Sequence, residues 1–249
     1  MKDKSGRSIN YLRISVTDKC NFRCRYCMPD PVPDVEHEEI LRYEEILRIC
    51  EAAVRLGIRK FKITGGEPLV RKGCVDFMRR LKETDGVETV TLTTNGMFVK
   101  EHIEEFKHMG LDGINISLDT LDRKQFRRLT GTDGADAVVD AVAACVSAGL
   151  KAKINSVLLS ETKSPILRLA HLAQEMPVDV RFIEVMPIGF GRFEKGPTED
   201  AVLQILQAEY PDLAYRRDVR GNGPAVYYGS GLLQGHIGFI AANTHRFCD

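Results

Sequence analysis

The sequence predicts an α/β fold, a barrel of six βα repeats followed by a short C-terminal capping region. The first observation is a recurring glycine, at Gly57, Gly86, Gly110 and Gly149, between a segment of helical periodicity and a β-rich run. Glycine adopts the left-handed conformation readily and therefore often ends a helix. The second observation is that polar residues stand at the carboxyl end of nearly every predicted strand, which favours a barrel over a doubly wound sheet.

The elements follow in order along the chain. Six strands are predicted at 12–16, 60–63, 88–92, 113–118, 151–158 and 178–185. The segments before the glycines have apolar residues at the spacing of an amphipathic helix, for example Ile46, Ile49, Cys50 and Ala53. A helix that begins at Ser164-Pro165 completes the sixth repeat.

The βα pattern stops after Met186, so the chain divides into a barrel core, residues 1–187, and a capping region, residues 188–249. We expect the capping region to cover the open side of the barrel. Its predicted elements are a short helix capped by Thr198 and two strands at 225–228 and 236–240.

Composition limits the function classes. Lys plus Arg and Asp plus Glu both number 35, so no net charge favours binding to nucleic acid or to an anionic membrane. The chain has no run of eighteen apolar residues and its first ten residues are polar, which predicts a soluble, cytoplasmic protein. Cys50 and Cys145 fall on apolar helix faces and are expected to be inert core residues.

Three cysteines, Cys20, Cys24 and Cys27, follow the first strand with the spacing CxxxCxxC. They do not form a cytosolic disulfide framework, because each thiol would need a partner, whereas thiolates are ligands for soft metals. Three thiolates on a cubane iron-sulfur cluster leave one iron without a protein ligand, and an open metal position indicates catalysis. A structural zinc loop and surface thiols are the alternatives. The three-ligand zinc site of nucleobase deaminases is disfavoured, since no PCxxC motif follows an H-x-E.

This spacing, with Tyr26 before the last cysteine, resembles the cluster motif of the radical S-adenosylmethionine superfamily. The resemblance implies a 4Fe-4S cluster on the three cysteines, S-adenosylmethionine on the fourth iron, and an external one-electron reductant. It also implies an incomplete (β/α)6 TIM-type barrel, in agreement with the six predicted strands. Gly65-Gly66-Glu67-Pro68 strengthens the resemblance, because glycine lets the backbone approach a ligand closely.

Further segments closely resemble the GTP 3',8-cyclase family, a lyase family that opens molybdenum cofactor biosynthesis: LRISVTDKCNFRCRYCMP, ITGGEPLVR, LTTNG, INISLD, RFIEVMPIG and GHIGFIAANTHRFC. The resemblance implies contacts with S-adenosylmethionine from Tyr26, Gly66, Ser117 and Met186. It implies contacts with GTP or a reaction intermediate from Arg13, Lys62, Thr93, Lys153 and Arg181. The family usually has Arg where this chain has Lys62, so a bidentate contact would become a single ammonium contact.

The resemblance also implies the reaction. In this family a 5'-deoxyadenosyl radical removes the 3' hydrogen of GTP, and the ribose radical then attacks C8 of guanine. The product is 3',8-cyclo-7,8-dihydroguanosine triphosphate.

The end of the sequence, Phe247-Cys248-Asp249, falls where the family continues into further cysteines and arginines that hold a second cluster and GTP. Cys248 is the first of those thiols, and one cysteine cannot hold a cubane. We expect a C-terminally truncated or degenerate chain that binds about four irons and cleaves S-adenosylmethionine but forms little cyclised GTP. A second 4Fe-4S cluster is expected only in a full-length chain.

Other functions stay open from the sequence. A radical enzyme that modifies peptides would also carry a C-terminal cysteine cluster, although Arg13 and Lys153 favour a triphosphate substrate. A non-catalytic iron-sulfur or redox-sensing protein is the remoter alternative. The segments 93–96 and 117–119 could equally be turn and helix-cap residues. Whether the chain forms a homodimer is left open.

Overall fold

A computed structural model describes residues 6, 8–30, 39–159, 165–217, 221, 223–241 and 244. Within these residues, the strands are β1 (Tyr11–Ser15), β2 (Lys60–Thr64), β3 (Thr89–Thr94), β4 (Gly113–Ser117), β5 (Ala152–Leu158), β6 (Asp179–Glu184), β7 (Ala214–Arg216), β8 (Val226–Gly229) and β9 (Ile237–Ile240). The α-helices are α1 (Tyr43–Arg55), α2 (Cys74–Lys82), α3 (Ile103–His108), α4 (Arg123–Thr130), α5 (Ala135–Ser147), α6 (Ile166–Glu175) and α7 (Glu199–Glu209).

The first six strands pair in parallel and in chain order, from β1 to β6. At least one helix lies between each strand and the next, as right-handed crossovers require. The sheet order is β1-β2-β3-β4-β5-β6-β9-β8-β7, so β1 and β7 stand at the two edges and the sheet is not closed. The predicted incomplete six-stranded barrel is therefore confirmed, with each strand within two residues of its expected position.

The C-terminal segment extends the sheet beyond β6, and the expectation that it covers the open side of the barrel stays a prediction. β9 pairs in parallel with β6, and β8 and β7 then continue antiparallel. The physical reason is that Ile237 and Phe239 are almost fully buried, so β9 adds to the core beside β6. The predicted strands at 225–228 and 236–240 are confirmed. β7 is not predicted by the sequence, because its three residues are all exposed and carry no burial pattern.

The two faces of the parallel sheet differ in polarity. In β2, Phe61 and Ile63 are fully buried on the face that packs against helices, whereas Lys62 and its neighbours on the other face are half-buried. In β3, Val90 and Leu92 alternate in the same way with threonines. Parallel strands are usually apolar on both faces. A polar inner face therefore indicates that this side of the sheet lines a cavity for something other than a hydrophobic core.

The helices cover the outer face and contain the predicted core cysteines. Cys50 in α1 and Cys145 in α5 have no exposed surface, which confirms them as core residues. Ile49, assigned to the same apolar face of α1, is half exposed. Thr198 is the N-cap of α7, as predicted, and accepts a hydrogen bond from the Ala201 N–H.

Two further points concern the helices. Ser164, predicted to begin α6, lies outside the described residues, and the neighbouring Pro165 is the N-cap. In the part of the chain that the structure describes, no helix combines the length and the apolar character needed to cross a bilayer.

Candidate active site

The cysteine loop stands at the carboxyl end of β1 and is anchored to α4. Phe22 is buried, and its ring meets Phe126 edge-on with the centroids 5.7 Å apart. The backbone N–H of Arg23 donates to the Thr130 carbonyl oxygen at 2.7 Å. The loop is thus held by its apolar residue and its backbone, which leaves the thiol groups available for a ligand.

The three thiols of this loop suit an iron-sulfur cluster. Cys20 and Cys24 are half-buried, Cys27 is exposed, and none of them forms a disulfide. Burial raises the pKa of all three thiols, and their mutual proximity raises the pKa of Cys24 and Cys27 further. A bound metal centre would reverse this effect, because cations stabilise thiolates.

The donor type of the loop indicates the kind of centre that it could hold. Cys20, Cys24 and Cys27 are three free thiols within eight residues. A cubane iron-sulfur cluster takes Cys thiolates as ligands, and three of them leave one iron open. The donor set therefore fits a 4Fe-4S cluster.

The glycines of the Gly65-Gly66-Glu67-Pro68 segment pack directly against the cysteine loop. The Gly66 N–H donates to the Thr17 carbonyl oxygen at 2.7 Å, and the Glu67 N–H donates to the Lys19 carbonyl oxygen at 2.8 Å. A Cβ atom on Gly66 would lie 2.4 Å from the Lys19 carbonyl oxygen. Glycine is required here because the loop backbone already occupies the space of a side chain.

Glu67 links three parts of the site, and the sequence analysis assigned it no role. Its buried carboxylate accepts hydrogen bonds from Thr94 Oγ1 at 2.8 Å and from the Asn95 N–H at 2.6 Å. Burial raises the pKa of Glu67, and these hydrogen bonds oppose the shift. Asn95 in turn donates from Nδ2 to Asn21 Oδ1 in the cysteine loop at 2.7 Å. The glutamate thus fixes the ends of β2 and β3 relative to the loop.

Asp119 positions Tyr26, a role that the sequence did not distinguish from that of a turn or helix-cap residue. The Tyr26 hydroxyl donates to Asp119 Oδ2 at 2.8 Å, and the Val157 N–H donates to Oδ1 at 2.8 Å. Burial raises the pKa of Asp119 to about 6, against the effect of these two hydrogen bonds. Asp122, not Asp119, caps α4 by accepting from the Gln125 N–H. The aspartate therefore orients an aromatic ring beside the cysteines.

We call these strand-end groups the rim: Cys20, Cys24, Cys27, Tyr26, Gly66, Glu67, Asn95 and Asp119. We call the inner face the polar side of the sheet below it: Arg13, Lys62, Thr93, Asn115, Lys153 and Arg181.

The inner face brings four cations together from β1, β2, β5 and β6. Arg13 stands opposite Lys62 on neighbouring strands. Burial, followed by the charges of Arg181, Arg13 and Lys153, lowers the pKa of Lys62 to about 8. The cations repel one another across the cavity, which is the arrangement expected of an anion site without its anion.

Arg181 is the most buried of the four cations, with 8 % of its surface exposed. Its Nη2 atom donates to Asn115 Oδ1 at 2.5 Å, and Asn115 Nδ2 donates to Thr93 Oγ1 at 3.4 Å. The Nε atom of Arg181 is buried and has no hydrogen-bond partner among the described residues. A buried donor without a partner indicates space for an acceptor supplied by a ligand.

Two further predicted residues, Ser117 and Met186, stand at or just beyond the carboxyl ends of β4 and β6. Ser117 is half-buried at the end of β4, where it stands opposite Asn155. Met186 lies two residues beyond β6 and is 47 % exposed. Arg25 of the cysteine loop pairs with Glu194 at 2.8 Å, which ties the loop to the segment after Met186. Cys248 lies outside the described residues.

Comparisons with known proteins agree with this geometry. The family model of the radical SAM superfamily matches residues 14–173. A GTP 3',8-cyclase of Clostridium perfringens is 43% identical over 251 residues, which cover 100% of this chain and 78% of the relative. A GTP 3',8-cyclase of Heliobacterium modesticaldum is 42% identical over 257 residues, with the same coverage of both chains.

Solved structures show the same fold at lower identity. Streptococcus suis SuiB bound to S-adenosylmethionine has a TM-score of 0.66 and 21% identity, over 80% of this chain and 46% of that chain. The protein anSMEcpe with bound AdoMet has a TM-score of 0.58 and 18% identity, over 71% of this chain and 49% of that chain. The three-thiol loop, the fold and the full-length similarity to the cyclases agree, and the chain belongs to the radical SAM superfamily and, within it, to the GTP 3',8-cyclase family.

Proposed function

We propose that this chain binds a 4Fe-4S cluster and S-adenosylmethionine at the rim and GTP on the inner face, and that it catalyses the 3',8-cyclisation of GTP in molybdenum cofactor biosynthesis. The observation that supports the proposal is that a three-thiol loop follows β1, while the charges of three cations on β1, β5 and β6 of the same sheet act on Lys62 of β2. When bound, the reduced cluster supplies the electron that cleaves S-adenosylmethionine to the 5'-deoxyadenosyl radical, so an external one-electron reductant is required.

The rim supplies the cluster ligands and holds the cofactor. Cys20, Cys24 and Cys27 provide the thiolates, one for each of three irons. Tyr26 is held in place by Asp119 and would contact the adenosine moiety. Gly66, Ser117 and Met186 would contact the same cofactor: Gly66 is locked against the cysteine loop, whereas Met186 is exposed and free to pack on an adenine ring.

The inner face would bind the substrate. A triphosphate in a protein of zero net charge needs a local group of cations, which Arg13, Lys62, Lys153 and Arg181 provide. Thr93 stands beside them through Asn115 and offers a hydroxyl. These side chains would fix the ribose below the rim and exclude water, so that the 3' hydrogen faces the site where the radical forms.

Peptide modification is the second candidate, because solved structures of similar fold include SuiB bound to the precursor peptide SuiA. At 21% identity this likeness shows the fold alone. A peptide backbone carries no charge that would require four cations, which favours GTP. A reducing, cytoplasmic location suits the free thiols of the chain.

The test is anaerobic incubation of the cluster-loaded protein with GTP, S-adenosylmethionine and a one-electron reductant, followed by mass analysis. We expect 5'-deoxyadenosine. The yield of a product that has the mass of GTP and an altered ultraviolet spectrum then distinguishes full cyclisation from the low yield expected of a truncated or degenerate chain. Cleavage of S-adenosylmethionine without any change to GTP would support cluster and cofactor binding at the rim but not the cyclisation of GTP. A failure of the protein to bind GTP would contradict the substrate assignment.

A further inference from the structure

Lys153 is held by two side chains that come from different parts of the sheet. Its Nζ atom lies 3.0 Å from Asp179 Oδ2 and 3.1 Å from the Tyr227 hydroxyl. Asp179 stands opposite Lys153 on β6, whereas Tyr227 belongs to β8, beyond both β6 and β9. An ammonium group has three N–H donors, so two fixed acceptors restrict the direction in which it can point.

Gly238 explains how Tyr227 reaches across the sheet. Gly238 on β9 pairs with Arg181 on one side and with Tyr227 on the other. A Cβ atom on Gly238 would lie 2.7 Å from Arg181 Cγ and 2.9 Å from Tyr227 Cε1. Because Gly238 has no side chain, both large residues can lean over β9. The Tyr227 ring is thereby buried, with its centroid 4.9 Å from the Lys153 Nζ atom.

Asp179 brings a negative charge to the inner face, opposite in sign to the four cations. Its side chain is 7% exposed, and its carboxylate faces both the Lys153 ammonium and the His236 ring, whose Nδ1 lies 3.5 Å from Oδ1. A carboxylate at this distance competes with an incoming anion for the same ammonium. Asp179 therefore reduces the positive potential that the other cations create.

We infer that Tyr227 and Asp179 are positioning residues for the triphosphate: Tyr227 directs the Lys153 ammonium, and Asp179 limits how tightly that ammonium holds an anion. The inference rests on the proposed GTP cyclase function. It predicts changes of opposite sign. Loss of the tyrosine hydroxyl weakens GTP binding, because the ammonium loses one anchor. Loss of the aspartate charge strengthens GTP binding, because the competing anion is removed while an asparagine oxygen still accepts from Nζ.

The experiment measures GTP affinity at equilibrium for the cluster-loaded 249-residue chain in the presence of S-adenosylmethionine. The variants are Tyr227→Phe and Asp179→Asn. Tyr228→Phe is the matched control for the first, because Tyr228 is the next residue of β8 and packs edge-on against Phe239 on the other face. Asp112→Asn is the control for the second, because Asp112 pairs with Lys82 between α2 and β4, away from the inner face.

We expect the GTP Kd to rise about 5- to 10-fold in Tyr227→Phe, the usual net size for one ordinary hydrogen bond, because the hydroxyl acts on the ligand only through Lys153. We expect it to fall about 3- to 10-fold in Asp179→Asn, with a steeper dependence on salt. The two controls should stay within about twofold of the unmodified chain, and the affinity for S-adenosylmethionine should not change in any variant.

Two results would overturn the inference. One is an unchanged Kd in Tyr227→Phe. The other is weaker binding in both variants together with a lower unfolding temperature, which would show a purely structural role. If the unmodified chain binds no GTP, the proposed function fails and this role fails with it. GTP binding by the unmodified chain with no effect of Tyr227→Phe overturns the positioning role alone.

Discussion

At the rim, the buried carboxylates are satisfied by the protein itself, whereas on the inner face Lys153 has the carboxylate of Asp179 beside it but Lys62 is surrounded by the charges of the other cations. Glu67 and Asp119 accept hydrogen bonds from backbone and side-chain donors of the rim. Lys62 has neighbours of its own charge, and Arg181 keeps a buried Nε donor without a partner in the described residues.

The difference agrees with the two ligands of the proposed function. A rim that holds three thiols and a cofactor in fixed geometry needs polar groups that are engaged before any ligand arrives. An inner face that binds a triphosphate, as we propose, needs to retain positive charge, at a cost to the free protein. Four experiments test this contrast.

The largest effect is expected from Cys24→Ala at the rim. Loss of one thiolate should abolish cluster loading and S-adenosylmethionine cleavage, because each thiolate holds a different iron. Iron analysis of the reconstituted 249-residue chain should give about four irons before the change and close to none after it. Cys145→Ala is the control: it should keep its iron and lose about 1 kcal/mol of stability. Equal iron loss in the control would contradict the ligand assignment.

The next effect is expected from Gly66→Ala. The added Cβ would meet the Lys19 carbonyl oxygen at 2.4 Å and the Asp18 carbonyl oxygen at 2.6 Å, so the cysteine loop must shift. We expect most of the cluster to be lost in iron and absorbance measurements. Gly223→Ala is the matched control, since a Cβ atom there meets nothing within 4 Å. Normal cluster content in Gly66→Ala would show that the loop tolerates the displacement.

A selective effect on GTP is expected from Lys153→Ala on the inner face. Removal of one charged contact should weaken GTP binding roughly 10- to 100-fold while uncoupled S-adenosylmethionine cleavage continues. Lys151→Ala, an exposed lysine just before the same strand, should change neither quantity. If cleavage falls while GTP affinity holds, Lys153 belongs to the cofactor site.

The smallest effect is a dependence of GTP affinity on pH. Lys62 has a lowered pKa of about 8, and an anion binds better to its protonated form. Affinity should therefore be full well below pH 8, fall to about half at pH 8 and decline up to about tenfold toward pH 9. Lys62→Arg should flatten the profile, because arginine stays charged over this range. If Lys62→Arg shows the same decline, the pH dependence of GTP affinity arises from a titratable group other than Lys62.

Much of this contrast could be read from the sequence because it depends on local spacing. The cysteine loop, the glycine segment and the six strands follow from patterns within a few residues. Lys62 and Lys153 stood out because each interrupts an apolar alternation, and both are on the inner face.

The rest depends on contacts between distant strands. The hydrogen bond between Tyr26 and Asp119 joins residues 93 positions apart. From the sequence alone, Asp119 could equally be a helix-cap residue, and only the burial of its side chain separates the two roles. Tyr227 reaches Lys153 because the sheet curves and Gly238 leaves room, which no local pattern encodes. β7 was missed because exposed strands lack a hydrophobic period.

The open sheet has a mechanical consequence. Since β1 and β7 lie at its two edges, no strand pairing in the described part of the chain joins β1 directly to β6, so the distance between Arg13 and Arg181 depends on the curvature of the sheet. A triphosphate that forms ion pairs with both arginines would link β1 to β6. Binding would then bring the two strands closer, and a wider separation of the strands would lower affinity. Cavity width and substrate occupancy are then one coupled equilibrium, and backbone amides of β1 should exchange more slowly with solvent when GTP is bound.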